Sequence, residues 1–426
     1  MQTSVIIPVW NGADVVSECL SAIRVCSGPE LLEVICVDNA SGGDSAQLIA
    51  RRFPQVQLIQ QPVNLGFAGG VNVGLEVAKG DVFVLLNQDC IVQPGWLTAL
   101  LNALQAYPAF GIAGCTIFNV DGTLNHAGAT IQRPAIYGIH LTDATTDQPH
   151  GVEYVTGAAM AIRREARQTV GLFDEGYYPA YFEESDYCYR ARRKHIETMV
   201  VPGAHIKHLL SSREWQTDPV RHTTNQHRSR YRFVSKHLSG EEAGDFFKAE
   251  LTAIESERYF DQAIARTLAA RATLRSLADI LERRRIDLDE VVTPIYRRQL
   301  QVGFTQLLRR SFAAAKLLSS PHPLDRSEPG DDDWQLASRQ LHALRQREYD
   351  LLRRIYFIDP TQLRSESSAH RLFRLLVLRP LSFLSGREHV LLAELNTVHV
   401  ARMDEMDELY RRRLALLELL TDYDYS

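Results

Sequence analysis

Val82-Phe83-Val84-Leu85-Leu86-Asn87-Gln88-Asp89 is the stretch of this chain that decides its fold. Its five apolar residues predict a short strand that is buried on both faces. The strand ends abruptly in two amides and a carboxylate. Ligands of open α/β sheets bind beyond the carboxyl ends of the strands, so Asp89 is predicted to lie at the rim of a crevice. Aspartate is also a common turn residue, and the neighbouring segments must therefore decide its role.

Strands and helices alternate on both sides of this stretch, which predicts an α/β fold with a mostly parallel sheet. The predicted strands are residues 4–9, 34–37, 56–60, 82–86, 111–118, 155–162 and 199–201. Helices are predicted from residue 11, over 44–52, up to residue 79, over 96–107 and over 183–194. Asp121-Gly122 predicts a hairpin, and the polar residues 119–150 are expected to form a loop-rich insertion that faces the substrate.

Two further segments are predicted to share the crevice with Asp89. Asp38 follows the second strand, and a glycine-rich segment over residues 64–74 precedes the predicted helix that ends at residue 79. Glycines ahead of a helix allow backbone N–H groups to approach an anion. The segment matches neither the Walker loop nor the dinucleotide-binding spacing, so we expect a different phosphate-bearing ligand.

Acidic and basic side chains cluster later in the chain. Glu183, Glu184 and Asp186 begin a predicted helix, where they could act in catalysis or only complement the helix dipole. His208 follows the last predicted strand and could be a metal ligand or a loop histidine. A basic stretch could hold a diphosphate or an anionic acceptor, or be solvated; it comprises Arg213, Arg221, Arg228, Arg230 and Arg232.

Composition narrows the class of protein. A length of 426 residues predicts two or three domains, and a net charge of −5 argues against non-specific nucleic-acid binding. No run of 18 apolar residues predicts a transmembrane helix, and the first strand leaves no room for a signal peptide. The six cysteines contain no CxxC pair and are expected to be buried free thiols. We therefore expect a cytoplasmic protein that could associate with the inner face of the membrane.

The second half of the chain, residues 239–426, is predicted to be all-α with a loop near 320–333. The apolar residues within 403–417 have coiled-coil-like spacing, which favours a homodimer as much as packing inside a bundle. Residues 371–383 are both basic and apolar. They could lie on a membrane surface, although a buried bundle helix is favoured.

Seven segments, in this order, resemble those of family-2 inverting glycosyltransferases. They are SVIIPVWNG, VDNASGGDS, NLGFAGGVNVGL, LLNQDC, VTGAAMAIRR, FDEGYYPAYFEESDYCYRAR and VPGAHIKH, and they span residues 2 to about 238. The chain is most similar to the rhamnosyltransferase-like branch that builds bacterial cell-surface polysaccharides. The resemblance implies a GT-A catalytic domain over residues 1–238 and leaves residues 239–426 as a separate helical domain.

The resemblance also implies an activity: transfer of a sugar, with inversion, from a dTDP- or UDP-linked sugar to a hydroxyl of a glycan or lipid-linked glycan. It places nucleobase recognition on Asp38 and a Mg²⁺ or Mn²⁺ site on Asp89, with His208 as a metal or diphosphate contact. Asn87 stands where the family's Asp-x-Asp motif has its first aspartate. The nucleotide-sugar contacts that the resemblance implies are Pro8, Val9, Asn11, Asp38, Asn64, Gly69, Asn72, Asn87 and Gln88.

The catalytic base implied by the resemblance is the second acidic residue at the head of the helix, where this chain has Glu184 in place of the usual aspartate. The longer side chain leaves the assignment open among Glu184, Glu183 and Asp186. These departures motivate an alternative, a catalytically degenerate relative that binds sugar nucleotides or serves as a scaffold. A sugar-phosphate nucleotidyltransferase is disfavoured, because residues 8–12 lack its glycine-rich basic signature.

Overall fold

The computed structural model of this chain describes residues 1–142, 146–209 and 219–318, with side chains through residue 315. The strands are β1 (Thr3–Val9), β2 (Leu31–Asp38), β3 (Gln57–Gln60), β4 (Val82–Leu86), β5 (Cys90–Val92), β6 (Phe110–Phe118), β7 (Leu124–His126), β8 (Ala129–Gln132), β9 (Tyr137–His140), β10 (His150–Gly151), β11 (Ala159–Arg163) and β12 (Glu197–His208). The helices are α1 (Ala13–Cys26), α2 (Ser45–Arg52), α3 (Gly66–Val77), α4 (Trp96–Ala106), α5 (Arg164–Val170), α6 (Glu183–Arg193), α7 (Pro219–His237), α8 (Gly240–Glu255), α9 (Phe260–Leu288) and α10 (Pro294–Leu318), with a 3-10 turn at Glu175–Tyr177.

The main sheet has ten strands, and its principal order is β10-β12-β6-β11-β4-β1-β2-β3. Strands β3, β2, β1 and β4 run parallel, whereas β11 is antiparallel to both β4 and β6. Val9 of β1 lies beside Asp38 of β2, and Ile6 lies beside Leu85 of β4. The polar residues that follow β2 and β4 therefore lie at the same edge. The α/β fold is confirmed. Its sheet is mixed, because β1 to β4 and the pair β6–β12 are parallel, whereas β5, β7, β10 and β11 pair antiparallel with their neighbours.

The stretch that begins at Val82 forms the strand that its sequence predicts. All five residues of β4 are buried, and Val82, Val84 and Leu86 belong to a core shared with α1 and α4. Helix α3 covers the opposite face, where Gly74 approaches Ile6 so closely that a methyl group would collide with its side chain. The strand is buried on both faces because helices cover both sides of the sheet.

Several predicted boundaries are wrong. The glycine-rich segment is not a turn ahead of a helix, because α3 begins at Gly66 and contains all four of its glycines. The last strand is not limited to residues 199–201, since β12 continues to His208 by pairing with β5 and β6. The insertion over 119–150 contains strands β7–β10, and the predicted hairpin at Asp121-Gly122 joins β6 to β7.

The described residues from 240 are mostly helical, as expected, and helix α7 precedes them. Residues 1–255 and 269–308 form one compact unit, and the described residues 256–268 and 309–318 belong to a second. The domain boundary at residue 238 stays a prediction. The predictions for residues 320–333, 371–383 and 403–417 and for Arg213 lie outside the described residues. Over the described part of the chain, the structure contains no helix that is both long and apolar enough to span a bilayer. All six cysteines are free thiols, as predicted, and five of them are buried, whereas Cys26 is half-buried.

Candidate active site

Asp38 lies at the carboxyl edge of the sheet, and one oxygen of its carboxylate accepts no hydrogen bond from the described residues. Its side chain is only 3% exposed, and its Oδ1 atom is buried without a hydrogen-bond partner among the described residues. A buried carboxylate oxygen of this kind is costly unless a ligand supplies a donor. The geometry thus agrees with the predicted role of Asp38 in binding the N–H groups of a nucleobase.

Two predicted ligand-binding amides brace the loops around this edge. Gln88 accepts a hydrogen bond from the backbone N–H of Trp10 at 3.0 Å and donates to the Trp10 carbonyl at 2.9 Å. Asn11 accepts a hydrogen bond from the backbone N–H of Gly42 at 2.8 Å. These contacts tie the ends of β1, β2 and β4 to one another. The backbone of this edge is therefore fixed before a ligand binds.

The end of β1 contributes backbone rather than a reactive side chain. Val9 is fully buried in the core, and its carbonyl accepts a hydrogen bond from Asn39 N–H at 2.8 Å. Pro8 is half-buried and lies beside Val37 of β2. Any contact of Val9 with a nucleotide must accordingly come from its backbone.

Asp89 and His208 form the candidate metal-binding pair. His208 pairs in register with Cys90, which brings its Nε2 atom to 3.2 Å from Oδ1 of Asp89. Both side chains are half-buried, and a carboxylate with an imidazole suits a divalent cation that takes its other ligands from water and phosphate. Cys90 Sγ also lies nearby, but it is buried and donates to the Ala158 carbonyl at 3.4 Å. The pair therefore fits the implied metal.

Asn87 is positioned by its backbone beside this pair. Its N–H donates to the Ala158 carbonyl at 2.9 Å, and its side chain is half-buried. As Asn87 is neutral, Asp89 is the only carboxylate that the Asn87-Gln88-Asp89 motif offers to a cation. His208 offers a second ligand atom beside Asp89 but no negative charge.

The predicted contacts on α3 and before it have structural roles. Asn64 accepts a hydrogen bond from the N–H of Gly66 at 2.8 Å and so caps the start of the helix. Asn72 is buried and donates both amide hydrogens, one to the Phe173 carbonyl at 3.0 Å and one to Glu175 at 2.9 Å. Because these bonds use both of its donors, Asn72 braces the segment that leads to α6 and has no hydrogen left for a ligand.

Gly69 also serves the packing of α3. A methyl group at Gly69 would lie 2.6 Å from Cβ of Leu65, so only glycine fits there. The described contacts of Asn64, Gly69 and Asn72 thus lie at or within α3 and with the segment that leads to α6.

Glu183 and Glu184 begin α6 as a strongly perturbed acidic pair. Glu183 is buried, and its Oε2 atom has no hydrogen-bond partner among the described residues. Burial, together with the neighbouring carboxylate of Glu184, raises the pKa of Glu183 well above its usual range. Burial also raises the pKa of Glu184 to about 7. A carboxyl group with a pKa near neutrality is suited to general-base catalysis.

Asp186, the third candidate base, is part of a buried ion-pair network. It contacts Arg190 at 2.8 Å, Lys236 at 2.7 Å and His237 at 2.6 Å, and it is fully buried. Burial raises the pKa of Asp186, but Lys236 and Arg190 outweigh this effect and hold it well below its usual range. An inaccessible carboxylate whose oxygens are already paired cannot abstract a proton from an acceptor. The geometry therefore removes Asp186 from the candidate bases.

Lys236 of α7 is the centre of that network. Its ammonium is completely buried and contacts Asp174 at 2.8 Å, Asp186 at 2.7 Å and Asp287 at 2.6 Å. The three carboxylates share this ammonium, and each also pairs with an arginine, so they need no metal ion for charge compensation; the arginines are Arg232 for Asp174, Arg190 for Asp186 and Arg283 for Asp287. The network fixes α6, which carries Glu184, against α7 and the second half of α9.

Two arginines of the basic stretch are neither solvated nor open to a diphosphate. Arg230 is 1% exposed and forms an ion pair with Glu250. Arg232 is paired with Asp174 at 2.8 Å. The periodicity of a basic helix does not show which of its cations have buried carboxylate partners, and the expectation for these two residues is therefore wrong.

The 156–158 segment connects the acidic helix to the metal-binding edge. Ala158 accepts the hydrogen bond from Asn87, whereas a methyl group at Gly157 would lie 3.9 Å from Cβ of Glu184 and 2.9 Å from the ring of Phe67. Glu184 and Asn87 therefore lie on either side of one short segment. The structure brings the acidic pair and the end of β4 to the same region.

Histidines in the insertion are site residues to which the sequence assigned no role. The ring of His140 on β9 lies 4.6 Å from that of His126. Desolvation lowers the pKa of His140, and the nearby His208 lowers it further. His140 is therefore close to the metal-binding pair. In the sequence, the only signal for a role of His140 is its position in the predicted substrate-facing insertion. Its place in the structure depends on the pairing of β8 with β9, which the sequence did not predict.

Comparison with known proteins agrees with this geometry. Residues 4–171 match the family model described as Glycosyl transferase family 2. The chain is 26% identical over 236 residues to the N-acetylglucosaminyl-diphospho-decaprenol L-rhamnosyltransferase of Mycobacterium tuberculosis, a match that covers 49% of this chain and 76% of the relative. It is 25% identical over 183 residues to the low-salt glycan biosynthesis hexosyltransferase Agl10 of Haloferax volcanii, which covers 41% of this chain and 58% of the relative.

Among solved structures, the chain is similar to GalNAc-T7 with UDP, GalNAc and Mn²⁺. The identity is 18% and the TM-score is 0.49, and the match covers 59% of this chain and 51% of that structure.

The family model and the glycosyltransferase relatives support a glycosyltransferase activity for this chain. Residues 4–171 match glycosyltransferase family 2, and the chain is similar to a mycobacterial rhamnosyltransferase. Its resemblance to that family, inferred from seven segments of sequence, is confirmed.

Proposed function

We propose that this glycosyltransferase moves a hexosyl or deoxyhexosyl group, with inversion, from a dTDP- or UDP-linked sugar to a hydroxyl of a glycan or lipid-linked glycan. The observation that carries the proposal is the approach of His208 to Asp89 at the carboxyl edge of the sheet. The similarity to the mycobacterial rhamnosyltransferase supports a deoxyhexosyl donor and a role in cell-surface glycan synthesis.

Asp38, Asp89 and His208 are proposed to bind the donor. Asp38 would accept hydrogen bonds from the nucleobase, since its buried Oδ1 has no partner among the described residues. Asp89 and His208 would hold Mg²⁺ or Mn²⁺, which when bound would neutralise charge on the leaving diphosphate. Gln88 and Asn11 act indirectly, by fixing the loops that form this edge.

Glu184 is proposed to be the general base. It would accept the proton of the acceptor hydroxyl as the oxygen attacks the anomeric carbon, and the nucleoside diphosphate would leave from the opposite face. Direct displacement of this kind inverts the anomeric centre. Burial raises the pKa of Glu184 to about 7, and the Glu184 carboxylate helps to raise the pKa of Glu183 further, so Glu183 would stay protonated while Glu184 takes the proton.

The test uses the purified full chain with dTDP- and UDP-sugars, Mg²⁺ or Mn²⁺, and a panel of glycan acceptors. We expect Asp89→Asn to lower kcat/KM at least about 100-fold, as expected for loss of a group that positions charge in the transition state. Asp245→Asn is the matched control, because Asp245 lies on α8 in an exposed ion pair with Lys248. Full activity of Asp89→Asn would refute the assignment.

A catalytically degenerate protein would give a different result. Titration calorimetry would then show sugar-nucleotide binding that depends on Asp38, with no turnover by the unmodified protein for any donor and acceptor. The neutral Asn87 and the replacement at Glu184 motivate this comparison. Turnover that is lost in Glu184→Gln would exclude it.

The remaining features of the proposal concern organisation and location. We propose that catalysis resides in residues 1–238 and that the helical residues from 239 provide contacts to a partner, a second copy or the inner membrane surface. A lipid-linked acceptor would require access to that surface. Co-sedimentation of the full chain with anionic vesicles, compared with neutral vesicles, tests the membrane contact.

A further inference from the structure

A cavity of about 210 Å³ lies between the β8–β9 hairpin, the start of α6 and α7. Its lining includes Tyr137, Tyr154, Tyr181, Phe182 and Glu184. Pockets for drug-sized ligands begin at about 300 Å³, so this cavity suits one compact unit of a ligand. The presence of Glu184 in its wall connects the cavity to the chemistry of the enzyme.

The chemistry of the wall favours a carbohydrate ring. Four aromatic rings provide flat apolar surfaces, and Glu184, Ser185 and Gln226 provide polar groups between them. A pyranose has apolar C–H faces and a rim of hydroxyl groups, so it can pack on aromatic rings while its rim forms hydrogen bonds. The cavity combines both kinds of surface within one small volume.

The charges of the wall favour a neutral sugar over an anionic group. Arg230 lines the cavity, but its guanidinium is paired with Glu250 and donates to the Ala135 carbonyl at 3.0 Å. It also lies 4.1 Å from the ring centre of Tyr137. The positive charge is thus compensated inside the protein and serves to hold the hairpin and its tyrosine in place.

The hairpin approaches the opposite wall closely. A methyl group at Gly138 would collide with the hydroxyl of Tyr154, which is buried. His140, at the end of the same strand, also lines the cavity. The β8–β9 hairpin therefore forms one wall of the cavity.

We propose that this cavity is the acceptor subsite, that it holds a single neutral sugar ring, and that Tyr137 and Tyr181 select that ring by packing on its faces. This inference rests on the proposed function, because it assigns the acceptor of the same reaction. The accepting hydroxyl would point toward Glu184 on the cavity wall. A diphosphate or lipid attached to the ring would lie outside the cavity.

The test compares Tyr137→Ala and Tyr181→Ala with the unmodified full chain, using octyl glycosides of N-acetylglucosamine, glucose, galactose and rhamnose as acceptor probes. We expect KM for the accepted glycoside to rise about 10-fold or more for Tyr137→Ala, as for loss of one aromatic contact of about 1.4 kcal/mol. The KM for the donor and the calorimetric affinity for the nucleotide should not change. Tyr137→Phe should restore the acceptor KM, since it retains the ring.

Tyr259→Ala is the matched control, because Tyr259 is 72% exposed and does not line the cavity. Saturation-transfer NMR with the same glycosides gives a readout that is independent of turnover. If the unmodified protein transfers sugar and both tyrosine variants keep the acceptor KM and the NMR signal, the acceptor subsite is refuted while the proposed function stands. If the unmodified protein shows no transfer and no nucleotide binding, the proposed function itself fails.

Discussion

Replacing Lys236 by methionine tests how much the buried ion-pair network that anchors α6 contributes to the stability of the protein. The side chain is completely buried and its ammonium contacts three carboxylates at 2.6–2.8 Å. Methionine keeps much of the volume but leaves Asp174, Asp186 and Asp287 without their shared cation. Removing one partner of a buried ion pair costs about 3–5 kcal/mol, because a charge stays buried without compensation.

We therefore expect Lys236→Met to lower the free energy of unfolding by about 3–5 kcal/mol near neutral pH, measured by urea denaturation followed by circular dichroism. Lys248→Met is the matched control. Its side chain is 81% exposed and its ammonium pairs with Asp245 at 3.1 Å, so its loss should change stability by less than about 1 kcal/mol. A Lys236→Met variant that is as stable as this control would refute the reasoning.

The same substitution should have a characteristic pH dependence. The folded-state pKa values of Asp174 and Asp186 lie below the ordinary value of 3.8. Such carboxylates contribute stability above the unfolded-state pKa and lose it as the pH falls through the folded-state pKa. The difference in the free energy of unfolding between Lys236→Met and the unmodified protein should accordingly become smaller below about pH 4. A difference that grows on acidification would show that the network is not the cause.

Three further predictions concern Glu184 at the start of α6 and Gly66 at the start of α3. If Glu184 is the base, kcat/KM should rise with pH and level off above its pKa of about 7, and Glu184→Gln should lower kcat about 10²–10⁴-fold, both measured by initial rates of transfer. Because the pKa of Glu184 is raised from about 4.5 in the unfolded chain to about 7 in the folded protein, the folded protein loses stability as the pH rises between these values. Glu184→Gln should therefore gain stability relative to the unmodified protein over that range. A difference in urea midpoints that stays constant with pH would contradict this. Gly66→Ala should destabilise the protein by about 1–3 kcal/mol, because Gly66 has a φ of +73° and a methyl group there would lie 2.8 Å from the Pro179 carbonyl. Gly95→Ala is the control, since Gly95 has a φ of +81° with nothing within 4 Å, and it should lose only the stability due to backbone strain. Equal losses of stability in thermal unfolding would refute the steric argument.

Much of the α/β part follows from local sequence patterns. The apolar run at Val82 and the polar residues after it predicted β4, its burial and the position of Asp89 at the sheet edge. The acidic start of α6 was also predictable, because carboxylates favour the first turn of a helix. The prediction that the glycine-rich segment forms a turn was wrong. Its glycines belong to α3, where they allow close packing against Ile6 and Leu65.

Only the tertiary structure decided how these elements combine into a site. His208 and Asp89 are 119 residues apart in sequence, and the pairing of β12 with β5 brings them to 3.2 Å. Lys236 lies 50 residues beyond Asp186, yet it determines that Asp186 is a structural residue and leaves Glu184 as the favoured base. Periodicity and motif spacing report the environment of a residue along its own element, whereas compensation of buried charge depends on side chains that only the folded chain brings together.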